Sequence, residues 1–428
     1  MVLEIFRAGR MVSMFEMRST STENGSKEIL PPPPRPVIDA VESGDADEQA
    51  HAPFQRLPPF PRSFRQCHLA IYWLAEFGFG LFSLLALLAF LAAIPGLNFL
   101  ALGYLLEAEG RVARTGKLRY SMPLLPLAPK LGGMVLGTWF WCWMVRLFAD
   151  AASDAMLVAP GSTMATAWQL GLILFSLGVA LHLVLALARG GRLSLFFWPT
   201  PLNALWLSKR FYQGGYWQAA GIVVSDWIAA LRLRHHFWLG LRGFLLAFVW
   251  LFIPTACFSV LRDTSKPGQV VVTLVGGVAL AVVLSWVPFL QAHFAAENRW
   301  RAMFEIRIIR EHYRKAPLAM LFSLAVLYAF SLPLYPFKAA ALPRDVYWLL
   351  TPIFILSIYP AKILVGWAYS QANRREQRAW RILRWGCSLL MMTALGLYVF
   401  VLFFTPAIGA AGRAVLFQHH GILLPWPF

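Results

Sequence analysis

Charge is scarce in this chain of 428 residues. Asp, Glu, Lys and Arg make up 14 % of it, where soluble domains carry about 25 %. With 58 % hydrophobic residues and a mean hydropathy of +0.58, a string of soluble domains is excluded. Length is better counted in membrane spans of about 20 residues. Acids are scarcer still, 21 against 38 bases. The bases lie in short stretches between apolar runs, as membrane topology demands, so no nucleic-acid partner is expected. Cysteine is limited to Cys67, Cys142, Cys257 and Cys387, with no C-x-x-C spacing. These read as small apolar fillers rather than metal ligands. The motifs of metalloproteases, serine hydrolases and phosphate-binding loops are missing, and no acidic pair sits on a lumenal loop. His235-His236 and His419-His420 are isolated and placed in loops. Neither catalysis, a cofactor nor a metal is expected. No internal repeat supports an inverted-repeat transporter.

What is present is a series of apolar runs. They predict spans at about 71–93, 132–149, 166–188, 237–258, 270–291, 317–336, 346–368 and 386–405. Loops 107–131 and 369–385 hold five Lys or Arg each, and loops 189–236 and 292–316 hold six each. The alternate loops hold none, then Arg262 and Lys266, then Lys338 and Arg344, then Arg413. Basic loops face the cytoplasm. That rule predicts an outer C-terminus and a cytoplasmic membrane location. The first block, Leu69 to Leu106, is broken at Pro95-Gly96 and has basic flanks on both sides. Either it folds back there as a hairpin with the N-terminus cytoplasmic, which is preferred, or one crossing is followed by an interfacial helix through Tyr104.

The stretch Ser285–Ala316 joins the end of one span to a basic helix. Arg299, Arg301, Arg307, Arg310, Arg314 and Lys315 stand against only Glu305 and Glu311. On a helical wheel Ala302, Ile306, Ile309, Tyr313 and Ala316 form one apolar stripe, with Trp300, Phe304 and Ile308 as a second edge. A basic amphipathic helix tied to a span is expected in the cytoplasmic interface, its bases touching anionic lipid. Within 189–236, Phe196-Phe197-Trp198 and Tyr216–Leu231 predict further interfacial helices, with Trp217 and Trp227 as belt residues.

Residues 1–60 predict a disordered tail. Residues 1–55 hold nine acids against five bases, and Pro31 to Pro34 with Pro36 form an extended run. The tail is read as a spacer, or as a tether for a protein partner. No secretory signal is visible, since Arg7, Arg10 and Arg18 interrupt the first apolar pieces; Met11, Met14 and Met17 are alternative starts.

Ionisable residues at membrane depth are the candidate functional side chains. Glu76 lies in the first block. Arg146 and Asp150 are spaced i,i+4 and can face each other, either as a gate or as an ion pair at the outer interface. His182 sits deep in its span, as a proton relay or as a neutral helix-to-helix hydrogen bond. Lys362 follows Tyr359-Pro360 and is placed to snorkel towards the cytoplasmic end.

Two blocks carry a family resemblance. The first runs IPGLNFLALGYLLEAEGRVARTGKLRYSMPLLPLAPKLGGMVLG, with Pro95, Asn98, Gly103-Tyr104, Arg111 and Arg114. The second runs HFAAENRWRAMFEIRIIREHYRKAPLAMLFSL. Over about 90–137 and 285–335 they resemble a bacterial family of multi-pass membrane proteins known as domain of unknown function 4013. The resemblance implies a topology and no activity, so it assigns no functional residue. The expectation is an all-α, polytopic transmembrane helical bundle with interfacial amphipathic helices. It is read as a non-enzymatic protein that organises lipid or partners. A transporter or permease component using Arg146, Asp150 and His182 is the alternative, and a membrane-embedded lipid-modifying enzyme the third reading.

Overall fold

The computed structural model describes residues 67–189, 193–197, 216–339, 349–407 and 412–425, with isolated positions between 205 and 214. The acidic tail and its proline run lie outside the described residues. In chain order the helices are α1 (Cys67–Ala93), α2 (Asn98–Thr115), α3 (Ala128–Val158), α4 (Thr163–Ala188), α5 (Leu193–Phe197), α6 (Tyr216–Leu231), α7 (Leu233–Phe258), α8 (Pro267–Glu297), α9 (Ile306–Lys315), α10 (Pro317–Ser331), α11 (Leu334–Ala339), α12 (Thr351–Arg374) and α13 (Arg381–Phe404). There is no strand among the described residues, and eight helical stretches are long and apolar enough to cross a membrane. The chain is an all-α, multi-pass membrane bundle. The eight stretches fall on α1, α3, α4, the end of α6 with α7, α8, α10 with the start of α11, α12, and α13 with the turn after it.

Local chemistry sets the helix ends. Proline opens α3, α8, α10 and α12 in their first turn, where a missing N–H costs nothing. The Ser162 hydroxyl accepts from the Ala165 N–H at 3.1 Å and caps α4. Gly116 (φ +65°) ends α2 and Asn298 (φ +51°) ends α8, each sending its N–H back to a last-turn carbonyl at 2.7 Å.

The first apolar block behaves as neither a single crossing nor a surface helix. α1 runs unbroken, the chain turns at 94–97 through Gly96 (φ +85°), and α2 runs back along it. Just past α2, Leu125 and Pro129 therefore pack on Gly80 of α1. α2 is not one of the eight stretches, yet 13 of its 18 residues are buried. Residues 107–115, expected to begin a basic loop, are its last turns.

Four helices enclose α2, and glycine lets three of them touch its backbone. A Cβ on Gly103 would overlap the His236 carbonyl of α7, and one on Gly240 of α7 would overlap the Phe99 carbonyl. Gly110 lies on Ala295 of α8, and Gly366 of α12 lies on the Glu109 backbone. In contrast, α3 and α4 are peripheral, with four of 31 and five of 26 residues buried. α5 wedges between them rather than lying flat in an interface: Phe196 is fully buried against Gly137, and Trp141 Nε1 donates to its carbonyl at 2.6 Å. Trp198 lies outside the described residues.

The basic stretch after α8 is not one helix. The left-handed cap at Asn298 and extended Arg299 end α8, and Glu305 (φ −82°, ψ +55°) separates a 3-10 turn, Trp300–Phe304, from α9. Its apolar stripe still faces inward: Ala302, Ile309 and Ala316 are at most 1 % exposed. The second edge, Trp300, Phe304 and Ile308, stays exposed. After α13 the chain re-enters the bundle. Val415, Leu416, His419, His420, Ile422 and Leu423 are all buried, and the Ile422 carbonyl accepts from Gln291 Nε2 at 3.0 Å. His419-His420 lies outside any helix, as expected of a loop, and is buried: His419 bonds Thr255 at 2.9 Å, and His420 packs on Tyr335 and Phe354.

Gly103→Leu is expected to lower the thermal midpoint in detergent sharply, because overpacking at a backbone contact costs about 1–3 kcal/mol or more. Gly171→Leu, where nothing lies within 4 Å of a Cβ, should change stability by about 0.5 kcal/mol or less. Equal midpoints for the two variants would show that the α2–α7 contact carries no stability.

Candidate functional site

The described parts of the four basic loops meet at one end of the bundle. Arg114 donates to the Ala295 and Ala296 carbonyls at 3.0 Å, tying the end of α2 to the end of α8. Arg374 bonds the Thr115 carbonyl, and the Ala379 N–H bonds the Arg314 carbonyl at 2.8 Å. Arg378 grips Glu311 at 2.7 Å, so the loop after α12 is fastened to α9. Arg242 reaches Asn298 at 3.2 Å. At the far end of α7, Arg413 donates to the Ser259 and Leu261 carbonyls. Among the described residues, the interlocked bases thus lie at one end of α7 and Arg413 at the other.

Glu107 is the hub of the arginine-rich end. Its side chain is 7 % exposed and faces Arg111 at 2.9 Å, His235 at 3.1 Å, Arg114 at 3.9 Å and Arg232 at 4.0 Å. Burial works against its charge, but His235, Arg111 and Arg114 outweigh burial and hold its carboxyl well below the usual carboxylate range. One carboxylate for three guanidiniums leaves this end with positive charge in surplus. Beside it, an open groove of about 730 Å³ is lined by Arg232, Arg234, His235, Trp238, Arg242 and Trp300.

The bases singled out in the sequence sit on this end in two states. Arg299 pairs with Glu297 at 3.2 Å and Glu305 at 3.7 Å, Arg314 pairs with Glu311 at 3.2 Å, and Lys315 offers its carbonyl to Arg375 at 3.4 Å. Arg301, Arg307 and Arg310 are exposed, next to exposed Trp300, Phe304 and Ile308.

The five intramembrane candidates are dispersed. Glu76 is half-buried on α1. Arg146 and Asp150 are both exposed on α3 and form no ion pair with each other within 4.0 Å. His182 is half-buried, bonding the Phe196 carbonyl at 3.1 Å under the Trp141 ring. Only Lys362 enters the core, and it does not snorkel. It is 2 % exposed, 3.4 Å from Glu109 of α2 and 3.1 Å from the Gln291 side-chain oxygen of α8. The other Glu109 oxygen is buried with no hydrogen-bond partner among the described residues. Burial pushes the Glu109 carboxyl up from its usual range, with Lys362 opposing. On the same two helices, His293 joins Tyr369 at 2.8 Å to Glu305 at 2.7 Å, leading towards the arginine-rich surface.

Sequence reasoning missed Glu107, Glu109, Gln291 and His293. The two acids were assigned to a loop; the signal for a helix is that Glu107 follows Gly103 by four residues and precedes Gly110 by three, the spacing of one close-packed face, while Glu109 falls about 200° round from it, on the opposite face. Compared with protein-family models, with characterised proteins and with solved structures, the chain finds no match.

Lys362→Met strands Glu109 in the core and should destabilise the protein by roughly 3–5 kcal/mol near pH 8. Glu109 has a raised folded-state pKa, so its favourable contribution is present at low pH and lost as pH rises. The deficit of the variant should therefore shrink on acidification, and adding Glu109→Leu should restore most of the midpoint. Thermal unfolding across pH reads this; a pH-independent deficit would refute it.

Proposed function

We propose that this is a non-enzymatic membrane protein that gathers anionic lipid at its arginine-rich end. The observation that carries this reading is the exposed strip of Arg301, Arg307 and Arg310 beside Trp300, Phe304 and Ile308. Guanidinium groups level with headgroups attract an anionic leaflet, each contributing on the order of 1 kcal/mol. Indole and phenyl rings anchor the same depth. The inward stripe of α9, with Ile309 and Ala316 fully packed, holds the strip rigidly rather than leaving it to fold on binding. With the basic loops cytoplasmic, the strip would face the inner leaflet of a bacterial cytoplasmic membrane and the Arg413 end would face outward. The tail 1–60 would then be a cytoplasmic tether for a protein partner.

A transporter is the second reading, favoured by the buried Lys362–Glu109–Gln291 cluster. Arg146, Asp150 and His182 do not join that cluster, so a transport route would have to be built on other residues. In sealed proteoliposomes with a trapped pH dye, a membrane potential that drives no proton flux above empty vesicles favours the lipid-binding reading. Flux present in the native chain and abolished by Lys362→Met with Glu109→Leu, the pair expected to keep its thermal midpoint, favours the transporter.

Replacing Arg301, Arg307 and Arg310 together by Gln should cut the phosphatidylglycerol enrichment of lipid retained from mixed phosphatidylglycerol–phosphatidylcholine bilayers by about tenfold or more. The lipid ratio is measured by mass spectrometry after purification. An unchanged ratio would remove this strip as the lipid contact.

A further inference from the structure

We infer that the groove beside Trp238 is a discrete site for one anionic phospholipid. The site rests on the reading that this end of the bundle faces an anionic leaflet, and adds to it a defined, saturable place. The groove forms where α6 meets α7. Arg232, at that elbow, has φ +46°, a left-handed backbone that L side chains adopt only when their surroundings hold them there. The strained elbow splits what would be one long helix and swings Arg232 onto Glu107. It also opens the wedge that Arg234, Trp238 and Arg242 line.

The charge in the groove calls for an anion. Glu107 is the carboxylate of this cluster, and Arg111, Arg114 and Arg232 already surround it. Arg234 is exposed and has no ion pair within 4.0 Å among the described residues. Arg242 is aimed rather than free: it donates to the Trp238 carbonyl at 3.1 Å and to Asn298 at 3.2 Å, and stacks 5.9 Å from the Trp300 ring. A planar guanidinium fixed in this way suits the paired oxygens of a phosphate.

An independent observation selects a lipid over a soluble phosphate. Trp238 and Trp300 are about half exposed at the mouth of the groove. Beyond Trp238 the exposed residues of α7 continue as Leu245, Val249, Phe252 and Ile253. At about 100° per residue these positions fall within roughly 100° of one another, so they form one ridge up the membrane-crossing helix. From Trp238 to Ile253 the ridge is about 22 Å long at 1.5 Å per residue. One leaflet of the hydrocarbon core is about 15 Å deep. An acyl chain on this ridge and a phosphate on Arg234 and Arg242 fit one molecule; a free anion would use only the head of the site.

The test uses the full chain, delipidated in detergent and titrated with dioleoylphosphatidylglycerol, with bound lipid counted by native mass spectrometry. One lipid is expected to be retained at saturation. Its affinity should fall roughly tenfold or more when Arg234 and Arg242 are both replaced by Gln, since hydrogen bonds to a charged group are lost. Trp238→Ala should weaken it independently, with thermal midpoints read in parallel to confirm folding. Arg301→Gln with Arg307→Gln and Arg310→Gln should leave this single site intact. Equal retention of dioleoylphosphatidylcholine, or no loss in the folded Arg234/Arg242 variant, overturns the site. Displacement of the lipid by inorganic phosphate alone assigns the groove to a soluble anion and overturns the phospholipid. If bulk phosphatidylglycerol enrichment persists while no saturable lipid binds, the groove inference fails and the broader reading stands. If the enrichment itself is absent, the broader reading fails.

Discussion

Backbone-to-backbone contact around α2 is the constraint on which the bundle rests. Lipid tails are as apolar as leucine, so the hydrophobic effect gives helices little reason to associate inside a bilayer. Close packing of small residues has to supply the attraction. Gly103 and Gly240 bring α2 against α7, Gly110 brings it against α8, and Gly366 brings α12 onto it. At such separations many weak dispersion contacts add up, and Cα–H groups can approach carbonyl oxygens. The peripheral pair α3 and α4 has no comparable seam with the centre, and most of its surface is left to lipid.

That packing decides where charge can go. α2 carries two acids two residues apart, and their neighbours give them opposite roles. Glu107 turns towards the basic end and holds guanidiniums together, while Glu109 turns inward and neutralises Lys362. Without Glu109, a lysine at this depth would have to stay neutral or leave the core. The two carboxyl groups are pushed in opposite directions, Glu107 down by its cations and Glu109 up by burial. Chemistry at the surface and polarity in the core therefore share one helix.

Much of the architecture was legible from the residues. Hydropathy located all eight candidate crossings, and the described parts of the basic loops lie together at one end. The helical wheel picked out Ala302, Ile309 and Ala316 as the inward stripe of the interfacial stretch. What stayed hidden has a common cause. α2 is too short and too charged to score as a span, and only its tertiary partners make it a buried helix. Lys362 looked able to snorkel because Glu109, 253 residues earlier, gave no sign of its depth. The segment around His419-His420 reads as a short terminal loop, yet Thr255, Gln291 and aromatic rings satisfy it inside the bundle. The break at Glu305 escaped notice because Ala302, Ile309 and Ala316 keep one apolar period across it.

The position of α2 also orders the assembly of the protein in time. Of the four helices that enclose it, α1 emerges first, but the other three do not. α7 and α8 follow more than a hundred residues later, and α12 carries the cation for Glu109 from still further along the chain. Until then an 18-residue helix with two acids and two arginines has no favourable place in hydrocarbon. It gains its buried partners only once the late helices are in place. Contacts of such long sequence separation are slow to form. The centre of the molecule is therefore the last part of it to be built.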